Sequence, residues 1–559
     1  MRFTHFSSGL AVAVLAACSA STGSTTPTEL VVENHPGSLV LESPARAAFI
    51  AQGSGGPIEV LGTGGSVATT VNGAAVKVAA NGSFHATVKP TVGLNLITIV
   101  DGEARLESPF LYGKFVSPSQ PVAHAVSVGI GRDGFGAKAP AASITTVLNR
   151  VLRDRNLVAS LAGQSFSGSV TGATWQYDVS GGHNDATTVS LDTAAKGIAI
   201  AATGNGIVVE GTLTLKILGI PSTHATRLIV DTANVTGTAA LSLDGATLGA
   251  TMADAAISLD GFHWDAGDFG FPCCVDSIAS NYLKPKIEDA IKTAIQKQVP
   301  AAAKIALGGV GLPKQLDLSA IGLKTPIPVS AQLDGGSFDG NASVLSASIL
   351  FGGTYAPGTP GAKAPGFLPL GTPLSSLMRP AALAASFSVD AVNQLLFAAW
   401  GSGELSFATP ASIGLTLTPS LPPMVSISAQ GAVRFSIGEL VVNKVGASAP
   451  LAAVTVIQDV VASADPTSLM LTASGDPTLS ITFLADDSGQ SGNSLIADAA
   501  KGQVKKLLSP FKMPLPAVAL DALGANFAGQ SLAIQALKID VDAKSGQLGA
   551  EGAGTLVHP

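Results

Sequence analysis

From Pro121 onward, apolar residues recur at every second position over long stretches. Val209, Leu213, Leu215 and Ile217 fall on one face of a strand, with Glu210, Thr212, Thr214 and Lys216 on the other. Successive strand side chains point to opposite faces, so this pattern dictates a sheet with one dry side. It returns at Leu479, Ile481 and Phe483 against Thr478, Ser480 and Thr482, and at Leu537, Ile539 and Val541 against Lys538, Asp540 and Asp542.

Four helices are expected to meet these sheets. Ser143 to Arg153 gathers Ile144, Val147, Leu148, Val151 and Leu152 on one side. Ile278 to Ile305 spaces Leu283, Ile287, Ile291 and Ile295 four apart, with Pro285 and Pro300 marking a kink or its ends. A third follows Ser388 as N-cap, carries Val392, Leu395, Leu396 and Trp400, and stops at Gly401. The fourth, Ser494 to Leu508, carries Ile496, Val504, Leu507 and Leu508.

Composition sharpens the problem these elements solve. The chain is 46% hydrophobic and only 12% charged, with a mean hydropathy of +0.42, whereas soluble domains average about 25% charged residues. A membrane-spanning helix needs roughly 20 consecutive apolar residues, and the longest clean run is Leu10 to Cys18. The apolar surplus is therefore hidden inside domains or holds something apolar. With a net charge of −7 and no Lys/Arg cluster, nucleic acid is excluded as the expected partner.

At the N-terminus, Arg2 supplies a positive region and Gly9 to Ala17 an apolar one, and Leu15-Ala16-Ala17-Cys18 resembles a bacterial lipobox. That resemblance implies a signal peptide over 1–17, acylation of Cys18, and attachment to a membrane through lipid chains. Ser19 after the cysteine implies the outer membrane, so the expected location is the cell envelope, facing periplasm or surface. Residues 18–29 read as a flexible tether.

Residues 30–118 hold short alternating segments punctuated by Asn72-Gly73 and Asn81-Gly82, which are hairpin signals. They predict a small antiparallel sandwich and resemble bacterial immunoglobulin-like modules. The rest reads as a duplication. Short helix, strands, helix, then Leu312-Pro313 and Leu316-Asp317 is echoed by short helix, strands, helix, then Leu515-Pro516 and Leu520-Asp521. The two units are placed at 119–355 and 381–559, and the proline-rich stretch 356–380 between them reads as an extended linker.

Two such units, with Phe387-Ser388-Val389-Asp390-Ala391-Val392-Asn393-Gln394-Leu395-Leu396 and then Ala399-Trp400-Gly401-Ser402-Gly403-Glu404-Leu405, resemble the bactericidal/permeability-increasing and lipopolysaccharide-binding protein family of the tubular lipid-binding superfamily. Asp390, Asn393, Gly403 and Leu405 carry the match. The resemblance implies an α+β fold of two tandem barrels of curved antiparallel sheet, each wrapped around a long helix, behind the N-terminal all-β sandwich. It implies apolar grooves that take a phospholipid or other acyl lipid, and no enzymatic activity. The basic tip with which some members grip lipopolysaccharide is not evident here.

The residues expected to line the grooves are Val147, Val151, Leu213, Leu215, Ile217, Leu283, Ile287, Ile291, Leu395, Leu396, Ile481 and Val504. Each taken singly fits an ordinary core; the lining claim concerns the set. Adjacent Cys273 and Cys274 form a strained vicinal disulfide, pair with something outside the chain, or stay as two buried thiols. No cofactor or metal is expected, although His263, Asp265, Asp268, Cys273 and Cys274 lie close in sequence; their spacing is not that of a zinc site. Gly129-Ile130-Gly131-Arg132-Asp133-Gly134 matches a dinucleotide pattern, but no helix is expected to open there. The alternative to lipid carriage is a structural or adhesive surface lipoprotein with filled β-rich domains. An envelope hydrolase with a triad assembled from distant residues stands third.

Overall fold

The computed structural model describes residues 31–559 except 54, 137–142, 153–155, 157, 171, 245–246, 266–277, 294–295, 297–309, 312–313, 320–322, 353–354, 372–381, 448, 466–467, 485–492, 509–511, 516, 520–529, 543–544 and 558–559. Cys18, Cys273, Cys274 and Asp268 lie outside the described residues, as does the side chain of Val151.

Residues 40–113 form a three-stranded and a five-stranded sheet around a core of their own that includes Val60, Phe84, Ile97, Ile99 and Phe110. Asn72-Gly73 makes the expected turn between Thr70–Val71 and Ala74–Ala75, with both φ angles positive, at 49° and 78°. The first strand departs from the sequence reading. Val31–Asn34 leaves this domain and pairs in parallel with Thr478–Phe483, adding an edge to the sheet of the second unit.

The rest of the molecule is β-rich, with two curled sheets, a central sheet and few helices. The first curled sheet has seven strands and is dominated by Gly197–Ile217 and Ile220–Asp244, which pair along their whole length as one long hairpin. The second curled sheet has nine strands, including Val433–Lys444 and Ala452–Ala464. The central sheet joins strands from both sides of the proline-rich stretch. Val122–Gly131, the opening strand of the first unit, pairs antiparallel with Leu383–Ser388, the opening strand of the second. Ala342–Phe351 and Ile327–Phe338 continue on one side, and Gln547–Val557 and Ser531–Asp542 on the other. Val310–Gly311 and Ala517–Ala519, beside the two echoed Leu-Pro pairs, also pair with each other.

The helices lie close to their expected places. Ile144–Leu152 is capped by Ser143, whose hydroxyl accepts from the Thr146 amide at 3.1 Å. Val389–Gly401 begins at Ser388, which accepts from the Ala391 amide, and is buried almost throughout. Asn493–Leu508 packs on the second curled sheet. The segment expected over 278–305 is described as a π-helical turn, Ala279–Leu283, continuing as α-helix through 284–293. Pro285 thus follows directly on the π-helical turn, inside a continuous helical run, where its missing N–H interrupts the α-helical ladder; residues 294–295 and 297–305 of the expected span lie outside the described residues.

The dinucleotide-like pattern needs a correction. A one-turn helix, Arg132–Phe135, does open directly after the strand. The reason is packing: a Cβ on Gly134 would lie 2.5 Å from the Ala382 carbonyl oxygen, so glycine allows the chain to press against the entry to the second unit.

The described part of the proline-rich stretch is a packed strap. Phe367 bridges to Val116 through paired backbone hydrogen bonds of 3.0 and 2.9 Å, and Leu368 joins Leu111, Leu421 and Met424 in a small apolar cluster.

Candidate functional site

The alternation of the long hairpin turns Val209, Leu213 and Leu215 inward, and Trp175, Tyr177 and Val179 on the neighbouring strand point the same way. Leu283, Ile287 and Ile291 meet them from the helix, all at most 1% exposed. In the second unit Ile481 and Val504 occupy the corresponding interior. Leu395 and Leu396, on the helix Val389–Gly401, lie between the two units. Together with Val147 these residues belong to one continuous apolar cluster that spans both curled sheets and the central sheet. The structure therefore brings together ten of the twelve expected lining residues. Ile217 is not among them. It keeps the strand's alternation but lies beyond the rim, 39% exposed at the hairpin tip.

The first interior also contains groups that the pattern did not disclose. The Tyr177 hydroxyl donates to the Val209 carbonyl at 3.0 Å, and burial holds its pKa above the usual phenol value. The Trp264 ring meets Tyr177 edge-on at 5.6 Å, and Trp175 approaches Tyr282 at 6.1 Å. The indole nitrogens of Trp175 and Trp264 are buried without an acceptor among the described residues. Buried donors are nearly always paired, so two orphans within one apolar interior stand out. The available signal was that Trp175, Tyr177, Trp264, Tyr282 and Tyr355, five of the chain's seven Trp and Tyr residues, fall in the first unit.

The residues that carried the family match do architectural work. Asn393 clamps Val425 in both directions, with its side-chain amide donating at 3.0 Å and its oxygen accepting at 2.7 Å. The Asp390 carboxylate accepts from the amides of Leu370 and Gly371 in the strap, and burial raises its pKa. Glu404 accepts from the Lys324 and Thr325 amides, which ties the two units together and lowers its pKa. The Trp400 indole donates to the Pro419 carbonyl.

A Ser–His–Asp cluster does form across distant parts of the chain. His124 Nδ1 lies 3.1 Å from Asp334 Oδ1 and 2.9 Å from Ser346 Oγ, and Ser346 also contacts Asp334 directly at 2.9 Å. Both partners use the same ring nitrogen. A relay needs the hydroxyl on one nitrogen and the carboxylate on the other, so this cluster is a structural knot at a strand irregularity. His263 Nδ1 contacts the Gly261 carbonyl at 2.8 Å, and no metal-holding group is present among the described residues. Among the same residues no helix is long and apolar enough to cross a membrane.

No family model and no curated protein matches the chain. Among solved structures, the crystal structure of lipopolysaccharide binding protein is similar at a TM-score of 0.41 and 14% identity, covering 78% of this chain and all of that one. The crystal structure of P47 of Clostridium botulinum E1 is similar at 0.28 and 9% identity, with the same coverage. Both likenesses are distant.

Proposed function

We propose that this chain binds an acyl lipid inside its two curled sheets and carries or presents it at the bacterial cell envelope, without bond chemistry. The observation that carries the reading is the continuous apolar cluster running through both units, built from aliphatic side chains of sheets and helices. Ligand sites of this type are concave and mostly apolar, with a few placed polar groups. The orphan indoles of Trp175 and Trp264 are donors suited to ester or headgroup oxygens. Each buried methylene of a lipid chain yields about 0.8 kcal/mol, so a partly inserted chain suffices for tight binding. Membrane attachment through an acylated Cys18 belongs to the same proposal and rests on the lipobox-like sequence.

A second reading has its own support. The lining residues are almost fully buried against one another, which favours filled sheets and a structural or adhesive role. Extraction of the purified protein followed by lipid mass spectrometry separates the two. Stoichiometric lipid, with uptake of a fluorescent acyl probe, is expected; the absence of both would leave the structural reading.

A further inference from the structure

The long hairpin of the first unit ends in Ile217-Leu218-Gly219-Ile220, with Ile217 and Ile220 as its last pair. Leu218 is 90% exposed and Ile220 74%. The turn is built on two left-handed residues, Leu218 at φ +49° and Gly219 at φ +88°. Asn72-Gly73 shows the ordinary solution in this same chain, since asparagine tolerates that conformation. Leucine does not: the left-handed region costs an ordinary residue about 1–2 kcal/mol. A leucine in almost full solvent contact recovers none of that by burial. This tip carries a side chain that both the backbone and water disfavour, at the end of the longest hairpin of the fold.

The surroundings indicate what would reward it. Beside the tip lies an open depression of about 770 Å³ whose lining includes Val170, Thr174, Lys216, Leu218 and Tyr282, and among the described residues Lys216 is its one charged lining residue. Tyr282 is half-exposed. An apolar point behind which Tyr282 and Lys216 stand has the layering of a bilayer surface: aliphatic chains in the hydrocarbon, phenol at the interface, an ammonium group at the phosphates. The tip is convex, so a protein partner would need a matching pocket. A bilayer needs none.

We infer that the Ile217–Ile220 tip inserts into the surface of a lipid bilayer, with Lys216 meeting anionic headgroups. This site is distinct from the proposed interior and does not depend on its being open. The test uses the full chain carrying Cys18→Ser, so that no acyl anchor contributes, and vesicles of phosphatidylcholine with a minority of phosphatidylglycerol. The parent protein should sediment with the vesicles, and Leu218→Asn should weaken partition roughly tenfold or more while melting no lower than the parent. Leu218→Trp should add emission that shifts blue with vesicles and is quenched by brominated acyl chains. Unchanged sedimentation of Leu218→Asn, or a Leu218→Trp emission indifferent to vesicles, overturns the inference. So does concentration-dependent self-association or capture of one protein partner that Leu218→Asn abolishes while vesicle binding stays. Extracted lipid content of Leu218→Asn should match the parent, which separates this tip from the interior reading.

Discussion

The hydroxyls of Ser127 and Ser386 meet at 2.7 Å across the strand pair that joins the two units. Both are buried, and Ser386 also donates to Gln547 Oε1 at 2.6 Å. The pair therefore has a direction: Ser386 gives its proton to Gln547 and receives one from Ser127. Ser127→Ala removes one donor and leaves Ser386 satisfied, which should cost about 1 kcal/mol. Ser386→Ala strands both neighbours and should cost about 2–3 kcal/mol by the penalty for unpaired buried groups. Urea unfolding followed by a probe in the central sheet should place the midpoints in the order parent, Ser127→Ala, Ser386→Ala. Equal midpoints for the two variants would contradict the direction assigned.

The N-terminal domain is held to the second unit by more than its first strand. Arg46 pairs with the buried Glu439 and also donates to the Glu107 carbonyl at 3.0 Å. Asn34 donates to Ser480, His35 stacks on Phe483 at 4.9 Å, and Phe49 packs near Trp400 at 5.9 Å. Arg46→Ala leaves a buried carboxylate without its cation, a change that typically costs about 3–5 kcal/mol. Faster hydrogen exchange at Val31–Asn34 is the expected result, with the far hairpin of the first unit unaffected. Arg46→Ala combined with Glu439→Gln should recover much of the protection, because no unpaired charge remains.

Much of this architecture was legible because it is local. Alternation at Leu213 and Leu215, four-residue spacing at Ile287 and Ile291, and the Ser388 cap each depend on near neighbours, and each appears as expected. What stayed hidden depends on partners far away in the chain. Val31–Asn34 has apolar residues suited to either domain, and only the edge at Thr478–Phe483 decides its place. The proline-rich strap reads as a linker because apolar residues within it, Phe367 and Leu368 among them, find their contacts at Val116 and Leu111. Ile217 obeys the periodicity and still misses the interior, since periodicity specifies a face and not where the curled sheet ends. The orphan indoles are likewise a property of the packed interior.

Asp390 gives the strap a pH signature. Burial raises its carboxyl above the ordinary aspartate value, against the opposing hydrogen bonds from Gly371 and Leu370. A raised folded-state pKa means that the native state binds the proton more tightly than the unfolded chain. Its contribution is thus fully present below the unfolded value of about 3.9 and is lost as pH rises through the raised folded value. Asp390→Asn keeps an oxygen to accept from Leu370 and Gly371 but cannot ionise. Relative to the parent, this variant should gain stability as pH rises across that window and should differ least in acid. Midpoints of urea unfolding at a series of pH values give the comparison; a difference independent of pH would exclude ionisation of Asp390 as its cause.

Leu213 and Ile287, both with 0% exposure in the first interior, separate a lining from an ordinary core. If the interior is filled only by protein, Leu213→Ala leaves a cavity and costs about 2–5 kcal/mol whatever the lipid supply. If a lipid chain lies against it, the chain takes up part of that space, and the loss should be smaller in lipid-loaded than in stripped protein. Stripping should also destabilise the parent, since a ligand that binds only the native state stabilises it by mass action. Leu213→Trp is the converse substitution: it fills the space and should lower the lipid recovered per chain. Melting temperatures of parent and Leu213→Ala before and after delipidation, together with lipid counts for Leu213→Trp, check all three expectations. An equal Leu213→Ala penalty in both preparations, with lipid content unchanged in Leu213→Trp, would assign this interior to the filled-core reading.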